Sequence, residues 1–207
     1  MNFINTNPRL LKAKTIALIV LGITVVFTVV SCSRQTPTNT VGISPEIVVD
    51  YIHRVIESDR TIYTQQVVNR LDEEEKVIKT SENWQKEKAL PLPAQMLRLS
   101  AEKSSEKDYF TYRLISPWNI NDSQAPQGKF EEKAMAIVLE TGLPFKDSQT
   151  IAGKKYFSAV YPDKAVSPAC INCHNNHPTH KKRYPDQVFK MGDVMGGIVI
   201  NLPLEDS

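Results

Sequence analysis

Five residues constrain this chain more than any others: Cys170-Ile171-Asn172-Cys173-His174. Two thiols and an imidazole this close in sequence imply a jointly held group, around which the rest of the domain must fold. His177 and His180 follow at three-residue steps, in the run "SPACINCHNNHPTHKK".

Four readings of the run compete. C-x-x-C-H is the signal for covalent haem attachment, in which each thiol adds to one haem vinyl group and the adjacent imidazole reaches the iron. A redox dithiol would favour a βαβ context and a helix N-terminus after the first cysteine; "NNHP" is a poor helix start, and the run reads as a loop. A zinc site would draw on Cys170, Cys173, His177 and His180, in a spacing more compact than a finger, which wants about a dozen residues between its ligand pairs. The fourth reading is chance.

The N-terminus bears on the choice. A basic stretch, "NPRLLKAK", precedes a run with no charge from Thr15 to Ser33, and small residues stand just before Cys32. This is the layout of an export signal. It resembles a bacterial lipoprotein cleavage box, with Cys32 as the lipidated first residue; the alternative is an uncleaved anchor across a bilayer about 30 Å thick. Residues 1–31 are therefore expected to be a signal peptide or anchor, 32–43 a flexible tether, and 44–207 an exported, membrane-tethered domain. Haem is attached to thiols after export, so the two independent features agree on one covalently attached haem c.

Composition excludes other classes. With Cys32 accounted for, two of the three cysteines remain, too few for a disulfide-stapled scaffold. The formal charge of +2 depends on Arg9, Lys12 and Lys14; the other 176 residues hold 22 basic and 23 acidic side chains. Such a balance gives no basis for nucleic-acid binding.

Ser44-Pro45-Glu46 is a good helix start, and helical spacing runs from Ile47 to Leu71, with Val48, Ile52, Val55, Ile56, Tyr63 and Val67 on one stripe. Asp59 interrupts that stripe and is expected to meet a basic group. The charge-rich "LDEEEKVIKTSENWQKEK" reads as solvated surface. A second helix opens at the prolines of "LPLPAQMLRLSAEKSS", a strand spans "YFTYRLIS", and a third helix spans "FEEKAMAIVLETG". "KKYFSAVYP" is a second strand, and "GDVMGGIVINLPL" closes the chain as another. Helices flanking a few non-alternating strands predict an α+β fold with an antiparallel sheet.

Several separated stretches, "ENWQKEKALPLPAQMLRLSAE", "YRLISPWNIND", "YPDKAVSPACINCHNNHP" and "GDVMGGIVINLPL", together resemble the DUF3365 or Tll0287-like haem domain over about residues 44–204. The resemblance implies a PAS-like antiparallel sheet flanked by helices, with a long N-terminal helix and a c-type haem in its pocket. It further implies that Cys170 and Cys173 are the thioether sites and His174 the proximal iron ligand.

The resemblance points to the long N-terminal helix for the other axial ligand, and some relatives use a thiolate there. No thiol is left in this domain for that role. His53 sits at the edge of the apolar stripe, as an iron ligand or a surface histidine beside Glu57 and Arg60. Tyr63 could point into the pocket. Met96, Met135, Met191 and Met195 read as core, Trp84 and Trp118 as core or haem-packing aromatics, and His177 and His180 as solvent-facing loop residues that could reach a propionate.

Functionally, the expectation is a redox or gas-sensing module, with a small gas as possible ligand and a partner protein as output, since no kinase, cyclase, chemoreceptor or DNA-binding segment is present. A one-electron carrier is the alternative. A haem enzyme such as a peroxidase would need distal acid and base groups, and none is evident, so the chain is expected not to be an enzyme.

Overall fold

In the computed structural model, residues 42–204 are described. The expected export signal, Cys32 and most of the tether lie outside them. Among the described residues no helix is long and apolar enough to cross a membrane.

The chain begins with helix α1 (Pro45–Ile62), capped by Ser44, whose Oγ accepts from the Ile47 N–H. Helix α1 continues as a π-helical segment, Tyr63–Glu74. At the junction the Thr64 hydroxyl donates to the Arg60 carbonyl at 2.7 Å, a back-bond that competes with regular α-helical pairing. A short helix α2 (Trp84–Glu87) and helix α3 (Pro93–Ser105) follow. Strand β1 is Thr111–Ile115, α4 is Gly128–Thr141, β2 is Phe145–Ile151 and β3 is Lys154–Lys164. Helices α5 (Pro168–Asn176) and α6 (Pro178–Arg183) lead to β4 (Val194–Pro203).

The four strands form one antiparallel sheet in the order β1-β4-β3-β2. Alternate residues face opposite sides. Tyr112, Ala159, Tyr161, Ile198 and Ile200 pack with Val49 of α1 and Leu97 of α3, while Ile115, Val160 and Val199 pack with Ala134, Met135 and Val138 of α4. Both faces of the central strands are buried, which explains why β4 reads as a nearly continuous apolar run. The α+β class, the antiparallel sheet with flanking helices and the long N-terminal helix are all present, an arrangement consistent with a PAS-like fold.

Two sequence expectations shift. Strand β2 was not foreseen, because "FKDSQTI" is a half-exposed edge with polar residues. It joins β3 through Ala152-Gly153, both at positive φ, the geometry of a two-residue hairpin turn. The buried face of α1 is also rotated from the predicted stripe. It runs through Val49, Ile52 and Ile56, while Val55 is 62% exposed and Asp59 is exposed. The inward charge is Arg60.

Candidate functional site

The C-x-x-C-H run lies on helix α5, not in a loop. Pro168 occupies the first turn, and the buried Ser167 caps it, its Oγ accepting from the Ala169 N–H at 3.2 Å. Positions 170, 173 and 174 are spaced i, i+3, i+4, so the two sulfurs and the imidazole share one helix face. Ala165, Phe189 and Met195 support that helix, with Trp118, Cys170 and Ile171 packed against them.

Cys170 and Cys173 are free thiols. Cys173 counts as exposed because an open cavity borders it, yet the surrounding protein desolvates its thiol and pushes it above the ordinary value, with Glu82 and Cys170 adding to the effect. A reactive redox cysteine needs the opposite shift, which weighs against the dithiol reading.

The His174 ring packs edge-on against Phe189 at 5.8 Å and against His180 at 6.1 Å. Burial holds its pKa down to about 4, with His180 and Arg60 contributing, so the imidazole is neutral near pH 7 and able to donate a lone pair to a metal. Its Nδ1 is buried with no hydrogen-bond partner among the described residues. His180, expected in solvent, is instead 1% exposed. Its Nε2 donates to the Gln187 carbonyl at 2.8 Å, which leaves its own buried Nδ1 as an unpartnered acceptor beside His174.

Cys170, Cys173 and His174 line a cavity of about 860 Å3, within the range of about 300–1,000 Å3 usual for cofactor sites. Its walls come from the α1 continuation, the segment before α3, β1, β4 and α5. Where β3 ends, Asp163 pairs in register with Gly196 of β4, and both line the cavity. Asp163 meets Arg60 of α1 in a two-pronged ion pair, Nη1 to Oδ1 at 2.6 Å and Nη2 to Oδ2 at 3.0 Å. Burial raises the Asp163 pKa, and the Arg60 charge offsets this only in part. Sequence reasoning missed this pair. The available signal was a charged residue at position 60, continuing the 52–56 face by one further i, i+4 step.

His53 and Tyr63 are not brought to this cavity. His53 stacks on Tyr161 of the sheet, ring centroids 3.8 Å apart and nearly parallel, and burial lowers its pKa. There it adjoins Asp50, which accepts from Tyr161 and Lys146. It is not among the residues lining the cavity, and its Nε2 is buried without a hydrogen-bond partner among the described residues. The Tyr63 hydroxyl donates to the Pro91 carbonyl at 2.7 Å, tying the long helix to the segment before α3. The four residues of the zinc reading do not converge either: among the described residues no three His, Cys, Asp or Glu side chains are placed to hold a metal ion. His177 instead caps α6, Nδ1 accepting from the Thr179 N–H and Nε2 lying 3.2 Å from Glu82. Trp118 meets Phe189 edge-on at 5.4 Å, a core contact.

Among curated proteins there is no match. The crystal structure of the cyanobacterial heme-protein Tll0287 is similar at a TM-score of 0.49 and 14% identity, covering 80% of this chain and 99% of that one. The sequence profile of the Tll0287-like family matches residues 46–203, from the first turn of α1 to the end of β4, and the chain belongs to that family.

Proposed function

We propose that this protein is a c-type haem-binding module, exported and tethered to a membrane through its N-terminus, which senses redox state or a small ligand and acts through a partner protein rather than by catalysis. The observation that carries the reading is the shared helix face of Cys170, Cys173 and His174 on the wall of a cofactor-sized cavity. The residues fit the group: two free thiols one helical turn apart and a neutral, largely desolvated imidazole beside them. Membership of the Tll0287-like family is in keeping with this.

In this reading Cys170 and Cys173 would hold the haem, each through one thioether, the thiol adding across a vinyl group so that sulfur bonds one carbon and the hydrogen the other. His174 would supply Nε2 to the iron, and its Nδ1–H would then need an acceptor, the usual requirement of a metal-bound imidazole. Haem, when bound, supplies one-electron chemistry and an iron centre that can take up small ligands. An electron carrier is the weaker reading, because it would keep a protein ligand on each side of the iron, and neither His53 nor Tyr63 is among the residues lining the cavity.

The test is expression of the full chain alongside a haem c maturation system. A Soret band and a haem-staining band that survives a denaturing gel are expected. C170S/C173S should lose the stained band; its persistence would refute the attachment sites, and no Soret band in the parent would refute the haem reading.

A further inference from the structure

We propose that α1 is the contact between two copies of this chain, paired parallel about a two-fold axis along its outward face. The pairing is independent of the haem reading. It follows from an apolar surface on α1 that its own domain leaves uncovered.

Helix α1 is apolar on two sides. Val49 and Ile56 face the core. Ile47, Tyr51, Val55 and Ile62 are between 43% and 63% exposed, and Val48 beside them is half-buried. At about 100° per residue these five occupy an arc of about 100° on the side away from Val49 and Ile56. Exposed large apolar residues are ordinary when scattered singly, whereas a continuous stripe marks an interaction surface. Tyr51 and Val55 also edge a groove of about 400 Å3 between α1 and α3, lined by Met96, Leu97 and Phe110, which widens the patch. The stripe ends with the α-helix: Gln65, Gln66 and Asn69 follow Ile62.

The spacing identifies what covers the stripe. Val48, Tyr51, Val55, Ser58 and Ile62 stand at alternating steps of three and four, the a and d positions of a heptad pattern, with a β-branched residue at every a. β-Branched a positions favour a parallel two-stranded pairing. The flanking positions carry opposite charges, Arg54 at g and Asp59 at e, both exposed. In a parallel pair each Arg54 meets Asp59 of the other copy, twice by symmetry. An antiparallel pair about the same centre would set Arg54 against Arg54. Within its own chain Arg54 makes only an exposed pair with Glu57 at 3.0 Å, a weak contact that leaves it free to turn to a partner. A helix lying on a membrane surface carries a basic flank, whereas α1 has Glu46, Asp50, Glu57 and Asp59 against Arg54 and Arg60.

The experiment is disulfide cross-linking of the full chain in intact cells, with copper phenanthroline as oxidant, carried out in the haem-loaded protein and again in C170S/C173S. Tyr51→Cys and Ser58→Cys place thiols on the seam, and Asp147→Cys places one on the exposed edge strand β2. Cross-linked dimers are expected from both seam variants, since only a parallel pair in register brings each position to its own counterpart. The parent and Asp147→Cys should give none. Val55→Glu added to Ser58→Cys should cut the cross-linked fraction about tenfold or more, the effect of like charges opposed in an apolar seam. Arg54→Glu should cut it about threefold, and R54E/D59R should restore it, because the exchange keeps the cross-chain pairs. The proposal is overturned if either seam variant gives no dimer, if Asp147→Cys gives as much, if Val55→Glu leaves the fraction unchanged, or if R54E/D59R stays as low as Arg54→Glu. Ser58→Cys replaces one exposed oxygen by sulfur, so its failure to cross-link would not reflect misfolding. Cross-linking in C170S/C173S needs no haem, so failure here is separable from failure of the haem reading.

Discussion

Replacing Arg60 by Met should destabilise the protein far more than replacing Arg60 and Asp163 together. The pair joins positions 103 residues apart, with side chains only 11% and 10% exposed. At 2.6 and 3.0 Å both carboxylate oxygens are satisfied. Taking away one partner of such a buried pair costs about 3–5 kcal/mol, whereas replacing both by apolar groups is often close to neutral. Measured against a usual total of about 5–15 kcal/mol, the single change is severe. The pH dependence has a definite sign. Burial already raises the Asp163 pKa above its ordinary 3.8, and without Arg60 it rises further. The folded variant then binds a proton that the unfolded chain has released, so its deficit grows as pH rises above about 4 and shrinks below it. Denaturant unfolding of the purified protein, followed by circular dichroism at pH 7 and pH 4, measures Arg60→Met, Asp163→Leu and the double variant as a cycle. A loss below about 1 kcal/mol in Arg60→Met, or a double variant as unstable as the single, would refute the view of the pair as a buried, mutually dependent unit.

In the haem-free C170S/C173S protein, His174 and His53 should make stability fall with acid. Both folded pKa values lie below the ordinary 6.5, that of His174 at about 4, so the unfolded chain takes up protons first and stability is lost from about pH 6.5 downward. For His174 this is worth about 3 kcal/mol by pH 4; urea midpoints equal at pH 7 and pH 5 would contradict it. Gly196→Ala should cost about 3 kcal/mol, the upper end for an overpacked site, because its Cβ would stand 2.3 Å from the Ile115 carbonyl oxygen of the neighbouring strand. A melting temperature unchanged from the parent would show that β1 and β4 separate easily. His53→Ala should leave the haem spectrum unaltered, since the ring stacks on Tyr161 away from the cavity; a shifted Soret band would place it on the iron.

What the sequence made legible was local. The thiols and imidazole of α5 lie within five residues, so their spacing carries their chemistry whatever surrounds them. The helix itself was misread as a loop, because "NNHP" drew attention to its end, while the start signal, Ser167-Pro168, stood just before the cysteines. Strand β4 was clear because burial on both faces leaves an unbroken apolar run. Strand β2 was obscure because an edge needs fewer apolar residues, and its turn uses Ala-Gly in place of the usual Asn-Gly.

The other side of the cavity depends on phase, and phase is harder to read. Successive helical residues point about 100° apart, so choosing Val48 over Val49 rotates the whole predicted face. That rotation put Asp59 in the interior and left Arg60 among surface neighbours of His53. The structure reverses both: Asp59 is exposed, and Arg60 reaches Asp163. A second difficulty compounds the first, since the helix changes from α to π at Tyr63 and the periodicity used to extrapolate past Arg60 changes with it. Tyr63 looked central to the stripe but turns to Pro91, while Thr64 and Val68 are buried. The partner that gives Arg60 its meaning lies in a different strand and has no local signature at all. The thiols and imidazole on the cavity wall could therefore be named from one short run, while the Arg60–Asp163 pair on the same wall emerged only once α1, β3 and β4 were placed together. A one-residue error in phase was enough to put the exposed Asp59 carboxylate where the half-buried Arg60 guanidinium stands.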